Sequence, residues 1–401
     1  MKTKKITKTK YMKHLKLIFP TIATAIIIAC GGSTEEKKTE TAAKNQTSDS
    51  TKIARDSLLS TLNLPEGFEI SVYAEVENAR SMALSENGTL FVGNRSEDKV
   101  YAVQDTDGDG TADKNYILAE GLNMPNGVAF KDGDLYVAEV NRILKFADIE
   151  NNLENPEYEV IFDQYPTDKH HGWKYIAFGP DGKLYVPVGA PCNICNNPDK
   201  PIYASITRIN PDGTGIEVYA HGVRNTVGFT WHPETQDLFF TDNGRDMMGD
   251  NIPPCELNVA TEKGQHFGYP FCHGGTIQDP EFGDKRDCEE FKKPYRNLGP
   301  HVAPLGIKFY TADLFPAKYK NQIFIAEHGS WNRSEKIGYR IQMVSNTTDG
   351  EPSYDTFIDG WLNQDEQDAW GRPVDVILND RGEMLISDDL AGLIYKVTFK
   401  G

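Results

Sequence analysis

Positive charge is scarce in this chain. Lys and Arg total 42 against 59 Asp and Glu, a formal net charge of −17 over 401 residues. Phosphate backbones are held by clustered cations, so nucleic acid is not an expected partner. A long apolar run is also missing. The longest, LIFPTIATAIIIA, has ~13 residues, where a spanning helix needs about 20. Cysteines number 6, and their spacing excludes two chemistries. The pair in Cys192-Asn193-Ile194-Cys195 has no second CxxC to complete a zinc site, and Asn196 stands where c-type haem attachment requires histidine. Helical periodicity is nearly absent after residue 62. Hydrophobic residues at 39% and aromatics at 10% are nevertheless enough to fill a core.

The first residues read as a targeting segment. MKTKKITKTKYMKHLK is basic, the short apolar run follows, and the run ends at Ala29-Cys30-Gly31-Gly32. Small residues around one cysteine after such a run have the pattern of a bacterial lipoprotein cleavage site. Residues 1–29 are then a lipoprotein signal peptide, Cys30 carries the lipid, and residues 30–61 form a polar tether. This predicts a lipid-anchored protein of the cell envelope, on the periplasmic or cell-surface side of a bacterial membrane. Cysteines in an exported protein are expected to pair. A Cys192–Cys195 bridge is one expectation, and Cys272–Cys288 is a second, made on proximity alone. The odd count leaves at least one thiol over.

From residue 79 one phrase repeats: apolar strand, turn, apolar strand. It appears as ARSMALSENGTLFVGN, PNGVAFKDGDLYVAE, WKYIAFGPDGKLYVPVG, NTVGFTWHPETQDLFFTDNG, PLGIKFYTADLFPAKYKNQIFIAEHG and GRPVDVILNDRGEMLISDD. The spacing is mostly ~45–60 residues, which suits four-stranded propeller blades. The one long gap, residues 246–302, reads as a Gly-, Pro- and Cys-rich insertion. The fold expected over residues 62–401 is all-β, a six-bladed β-propeller. The strand Gly67–Tyr73 is placed to complete the last blade and so remove a free sheet edge.

Antiparallel blades put the start of each first strand and the end of each second strand on one face. Ahead of the first strands stand Arg80, Asn126, His171, Arg224, Asn225, His301 and Arg372. After the second strands come Arg95, Glu139, Gly189, Asp242, Gly244, Arg245, Glu327, His328, Asp388 and Asp389. Arginines and histidines thus converge on one face of an acidic protein. Guanidinium groups bind carboxylates in a bidentate way, so an anionic ligand is expected there. Arg80, Arg95, Arg245 and His328 join the candidate cofactor site on this argument alone.

Several long phrases carry a resemblance. They include LPEGFEISVYAE, HHGWKYIAFGPDGKLYVPVGAPCNICN, GVRNTVGFTWHPET, FTDNGRDMMGDNIPPCELN, IFIAEHGSWNRSEKIGYR and AWGRPVDVILNDRGEMLISDDLAGLIYKVTF. Over residues 62–401 the chain resembles the pyrroloquinoline quinone (PQQ)-dependent sugar dehydrogenases, in the sorbosone dehydrogenase-like or pyranose dehydrogenase-like branch. The resemblance implies PQQ and Ca2+ at the top of the channel, a sugar substrate and a separate electron acceptor. It implies that His171, ahead of the Gly179-Pro180-Asp181 turn, is the general base, with His170 beside it. It places Arg224 and Asn225 on the quinone, Arg372 on a cofactor carboxylate, and Ca2+ on the backbone of Gly244 and Arg245. Soluble glucose dehydrogenase has a second arginine where this chain has Val374, a departure that weakens the transfer of that enzyme's details, its substrate included.

A second calcium signal lies in DTDGDGTADK. Asp105, Asp107 and Asp109 match the first half of an EF-hand loop, with Asp113 as a further ligand. Two other functions fit a six-bladed propeller. One is a calcium-dependent lactonase using Glu139, Asp242 and Glu327. The other is a non-catalytic surface binding protein.

Overall fold

The computed structural model describes residues 55–347 and 350–401. The signal segment and Cys30 lie outside the described residues. Six four-stranded antiparallel sheets form the six blades of the expected propeller. Blade 1 runs Ala79–Leu84, Leu90–Asn94, Val100–Gln104 and Lys114–Ala119, and blade 2 runs Gly127–Lys131, Asp134–Ala138, Ile143–Phe146 and Glu159–Phe162. Blade 3 is Ala177–Phe178, Leu184–Val188, Ser205–Ile209 and Glu217–His221. Blade 4 is Phe229–Trp231, Leu238–Asp242, Pro254–Ala260 and Arg296–Pro300. Blade 5 is Pro304–Phe309, Ile323–Glu327, Arg340–Val344 and Tyr354–Ile358. Blade 6 takes Pro373–Leu378, Met384–Asp388 and Leu393–Phe399 from the C-terminal end, and Phe68–Glu75 from the other. Phe68 pairs with Phe399 and Glu75 with Leu393, so the ring closes between distant parts of the chain.

The second strands show why the repeat was so apolar. Leu90–Asn94, Leu184–Val188, Leu238–Asp242, Ile323–Glu327 and Met384–Asp388 are buried at every position. Each is covered on both faces by neighbouring blades, so it reads as a continuous apolar run. Phe91 and Val137, from adjacent blades, share one such inter-blade cluster. Outer strands behave differently: Lys114–Ala119 is largely exposed. The turn chemistry is local. Asp132 and Gly133 both have positive φ, +53° and +87°, which the tight two-residue hairpin of blade 2 requires.

Two expectations are revised. Residues 246–302 are not an insertion outside the blade. They supply the third and fourth strands of blade 4, and a small hairpin, Cys272–His273 with Ile277–Gln278, lies between them. Pro and Gly in Arg296–Pro300 made that outer strand read as a loop. Residues 55–61 belong to the same compact unit as the propeller. Thr61 Oγ1 accepts a 3.2 Å hydrogen bond from Trp370 Nε1, and Arg55 pairs with Glu75. Cys192–Cys195 and Cys272–Cys288 are both disulfides, and Cys255 is a buried free thiol.

Candidate active site

Strand starts and strand ends meet on one face around a cavity of about 320 Å³. Arg80, Arg95, His171, Arg224, Asn225, Gly244, His328 and Arg372 all line it, together with Trp173, Asp246, His301 and Trp331. Arg80 lies near the start of a blade strand, Arg95, His328 and Arg372 adjoin strand ends, and His171, Trp173, Arg224 and Asn225 lie in the segments leading into first strands. In blade 1 a β-bulge between Ala79 and Met82 interrupts the register at Arg80, and bulges of this kind re-aim a side chain.

His171 sits in the left-handed region, at φ +51°. A non-glycine residue there is strained by the order of 1–2 kcal/mol, and such strain is retained where the surroundings enforce it. The enforcement is visible. A Cβ on Gly189 would lie 2.5 Å from His171 Cβ, so only glycine lets the strand end pass so close. Gly172 N–H donates to the Lys169 carbonyl, closing the loop. His171 Nδ1 donates to the Ala190 carbonyl at 2.8 Å. That bond fixes the tautomer and leaves a lone pair on Nε2, which has no protein partner among the described residues. Burial, with the Arg224 charge second, holds the imidazole well below 6.5, so it is neutral. Ala190 N–H in turn donates to the Arg224 carbonyl at 2.8 Å, so histidine and arginine are linked through one peptide. His170 is exposed, its ring centroid 4.1 Å from that of His171.

The arginines are held by different means. Arg224 is 4% exposed. Its Nε and Nη2 donate to Asn193 O and Oδ1 at 2.9 and 3.0 Å, and Nη1 donates to Asn243 O at 3.0 Å. Arg80 donates to Asn126 Oδ1 and Asp389 Oδ2, both at 2.8 Å. Asp389 also accepts from His328 Nε2 at 2.8 Å. Burial pushes His328 down to about 4. Arg372 donates to the carbonyls of His328 and Gly329. The Arg95 guanidinium lies 3.8 Å from the centroid of the Trp173 ring, and burial lowers it to about 10. Among the described residues, Arg95 and Arg372 make no ion pair. Trp173 Nε1 is buried with no partner. The cavity therefore presents free donors and uncompensated positive charge, which fits a flat carboxylated ligand.

Some sequence-derived candidates fall elsewhere. Arg245 does not line the cavity with its side chain. Nη1 pairs with buried Asp279 at 2.5 Å and Nη2 with Glu281 at 3.2 Å, both in the loop of blade 4. Asp105, Asp107 and Asp109 do converge, and they are the only group of three or more His, Cys, Asp or Glu side chains among the described residues close enough to share an ion. Asp113 is outside that group, because its carboxylate is taken by the Thr106 hydroxyl and N–H. Arg381 Nη2 lies 3.6 Å from Asp105, and the carbonyls of Gly108 and Gly110 accept from Arg381 and Lys396. This turn shares a cleft with the Asn87-Gly88 hairpin, on the face opposite His171.

The carboxylates considered for a lactonase are all engaged in structure. Asp242 accepts from the backbone N–H groups of Arg224 and Asn225 at 2.8 and 2.7 Å. Glu139 pairs with Arg142 and accepts from Asn123 N–H, and Glu327 is bound by Arg340 and Tyr354. None of the three lines the cavity. Sequence reasoning missed Asp389, Asn193 and Trp173 as parts of the site, although Asp389 stood in the strand-end pattern.

Comparison with known proteins places this geometry. An uncharacterised protein of Borreliella burgdorferi is 35% identical over 364 residues, covering 87% of this chain and 93% of that protein. Two solved structures share the fold. The calcium structure of the Trichoderma reesei carbohydrate-active enzyme of family AA12 has a TM-score of 0.73 at 19% identity, covering 84% of this chain and 97% of that one. The holo form of the pyranose dehydrogenase PQQ domain of Coprinopsis cinerea has a TM-score of 0.70 at 17% identity, with the same coverage. The model of the TrAA12-like family matches residues 62–400, the whole propeller, and the chain belongs to that family.

Proposed function

We propose that the chain is a PQQ-dependent sugar dehydrogenase, oxidising an aldose, aldosulose or related polyol. The observation that carries this reading is a buried, neutral histidine with an unoccupied Nε2, in a cavity whose arginines exceed its carboxylates. Family membership and the printed cofactor of the pyranose dehydrogenase relative support it. Arg80, Arg95 and Arg372 would hold the carboxylates of the quinone, and Trp173 Nε1 offers one further donor. The backbone of Gly244 and Arg245 would hold Ca2+, with Asp246 nearby in the cavity lining. When bound, such a quinone would supply a hydride acceptor and Ca2+ a Lewis acid, chemistry that the side chains of this protein cannot provide.

The protein's own contribution is positioning and proton movement. His171 Nε2 takes the proton from the substrate hydroxyl, and its Nδ1 bond to Ala190 stabilises the imidazolium that results. Arg224 provides fixed positive charge beside it. Electrons leave to a separate carrier. A lipid on Cys30 would hold the domain at the membrane surface where such a carrier is found.

The test adds PQQ and Ca2+ to the protein and follows dye reduction across aldoses and polyols. His171→Ala is expected to bind quinone normally and to lose about 10²–10⁴-fold in kcat. Failure of the unaltered protein to bind PQQ would overturn the reading.

A further inference from the structure

We propose that Asn193, presented by the Cys192–Cys195 disulfide loop, is a positioning residue that aims the Arg224 guanidinium at the cavity. The inference rests on the reading of Arg224 as the charge beside a bound quinone. Arginine offers five donors in a rigid plane, so two bonds to one residue fix its orientation as well as its place. Asn193 supplies both, through its backbone carbonyl to Nε at 2.9 Å and its side-chain Oδ1 to Nη2 at 3.0 Å. Asn193 is itself pinned. Oδ1 also accepts from Asp246 N–H at 2.8 Å, and Nδ2 donates to the Asp246 carbonyl at 3.0 Å.

A backbone carbonyl aims reliably only where its peptide is fixed. Residues 192–195 lie outside any strand, so no ladder fixes them. The disulfide does so instead, joining the residues on either side of Asn193 and Ile194. Cys195 N–H donates to the Tyr269 hydroxyl at 3.0 Å, tying the loop to blade 4. The chemistry of the clamp matters too. Amide and carbonyl acceptors take Nε, Nη1 and the shorter Nη2 contact, and Asp246 pairs with Nη2 at the longer distance of 3.5 Å. The arginine is thus oriented mainly by neutral acceptors, which fix the direction of its charge.

The experiment compares the protein with Asn193→Ala, Asn193→Asp and Cys192→Ser/Cys195→Ser. Three quantities are read: PQQ affinity, Tm, and the slow-exchanging Nε–H resonance of Arg224, assigned by its loss in Arg224→Lys. Asn193→Ala keeps the carbonyl on Nε but removes the Oδ1 bond to Nη2 and both side-chain bonds to Asp246, so it is expected to broaden that resonance and to weaken PQQ binding roughly ten- to hundredfold, the loss of one bond to a charged group, with little change in Tm. Asn193→Asp keeps the acceptor and is expected to keep the resonance. The double serine variant leaves every atom of Asn193 in place and is expected to broaden the resonance and weaken PQQ in the same direction. It decides the matter should Asn193→Ala fold poorly. An unchanged resonance, or a broadened resonance with unchanged PQQ affinity, overturns the proposal. If the unaltered protein binds no PQQ, the dehydrogenase reading fails, and the resonance alone then decides the clamp.

Discussion

At His171, backbone and side chain are specified by different neighbours. Gly189 and the Lys169–Gly172 turn enforce the left-handed backbone, and the Ala190 carbonyl selects the tautomer. The electrostatic result is a base that stays unprotonated under mildly acid conditions. A base works when neutral, and here burial and Arg224 depress its affinity for protons below the ordinary 6.5. The acid limb of kcat/KM is therefore expected to have its midpoint well below pH 6.5, with activity maintained through that value. A pH–rate profile of the PQQ-loaded protein checks this, and a midpoint at or above 6.5 would contradict the burial argument.

Among the elements, the strand Phe68–Glu75 is the one that closes the ring. It arrives from the N-terminal side and pairs with the C-terminal strand. Its first residue, Phe68, sets its ring 4.7 Å from Phe315, 5.2 Å from Tyr319 and 5.1 Å from Phe357, all near-perpendicular. Edge-to-face rings of this kind add to the burial term. Phe68→Ala removes the centre of the cluster and is expected to cost about 3–5 kcal/mol in chemical denaturation. Phe68 does not line the cavity, so kcat of the folded fraction should not change.

For the whole molecule, a ring of blades has no free edge only when that strand is in place. A chain starting at Ala79 would leave blade 6 with three of its four strands and expose the ladder of Leu393–Phe399. Such an edge templates pairing with other chains. The expected outcome is loss of a single cooperative unfolding transition and association into larger species, seen by calorimetry and light scattering. Closure also concentrates charge. The protein is acidic overall, yet strand ends from different blades bring Arg80, Arg95, Arg224 and Arg372 to one cavity, with Asp246 as the carboxylate in its lining.

How far the sequence reaches follows from the range of the contacts. Each inner hairpin is one contiguous segment with its own turn, so the number of blades, the closing strand and the face holding His171 and Arg224 were legible along the chain. The outer strand Arg296–Pro300 was not, since Pro and Gly mask its pattern. Position at a strand end gave the face of Arg245 but not its direction, which Asp279 and Glu281 decide from a later loop. Asp389 serves Arg80 from 309 residues away, and Asn193 meets Arg224 from 31 residues away. The sequence by itself determined the repeating hairpins, the propeller and the ring of polar residues, because these depend on local pattern and period. Only the tertiary structure decided which charges are compensated and which stay free for a ligand, because that depends on partners that folding brings together from distant blades.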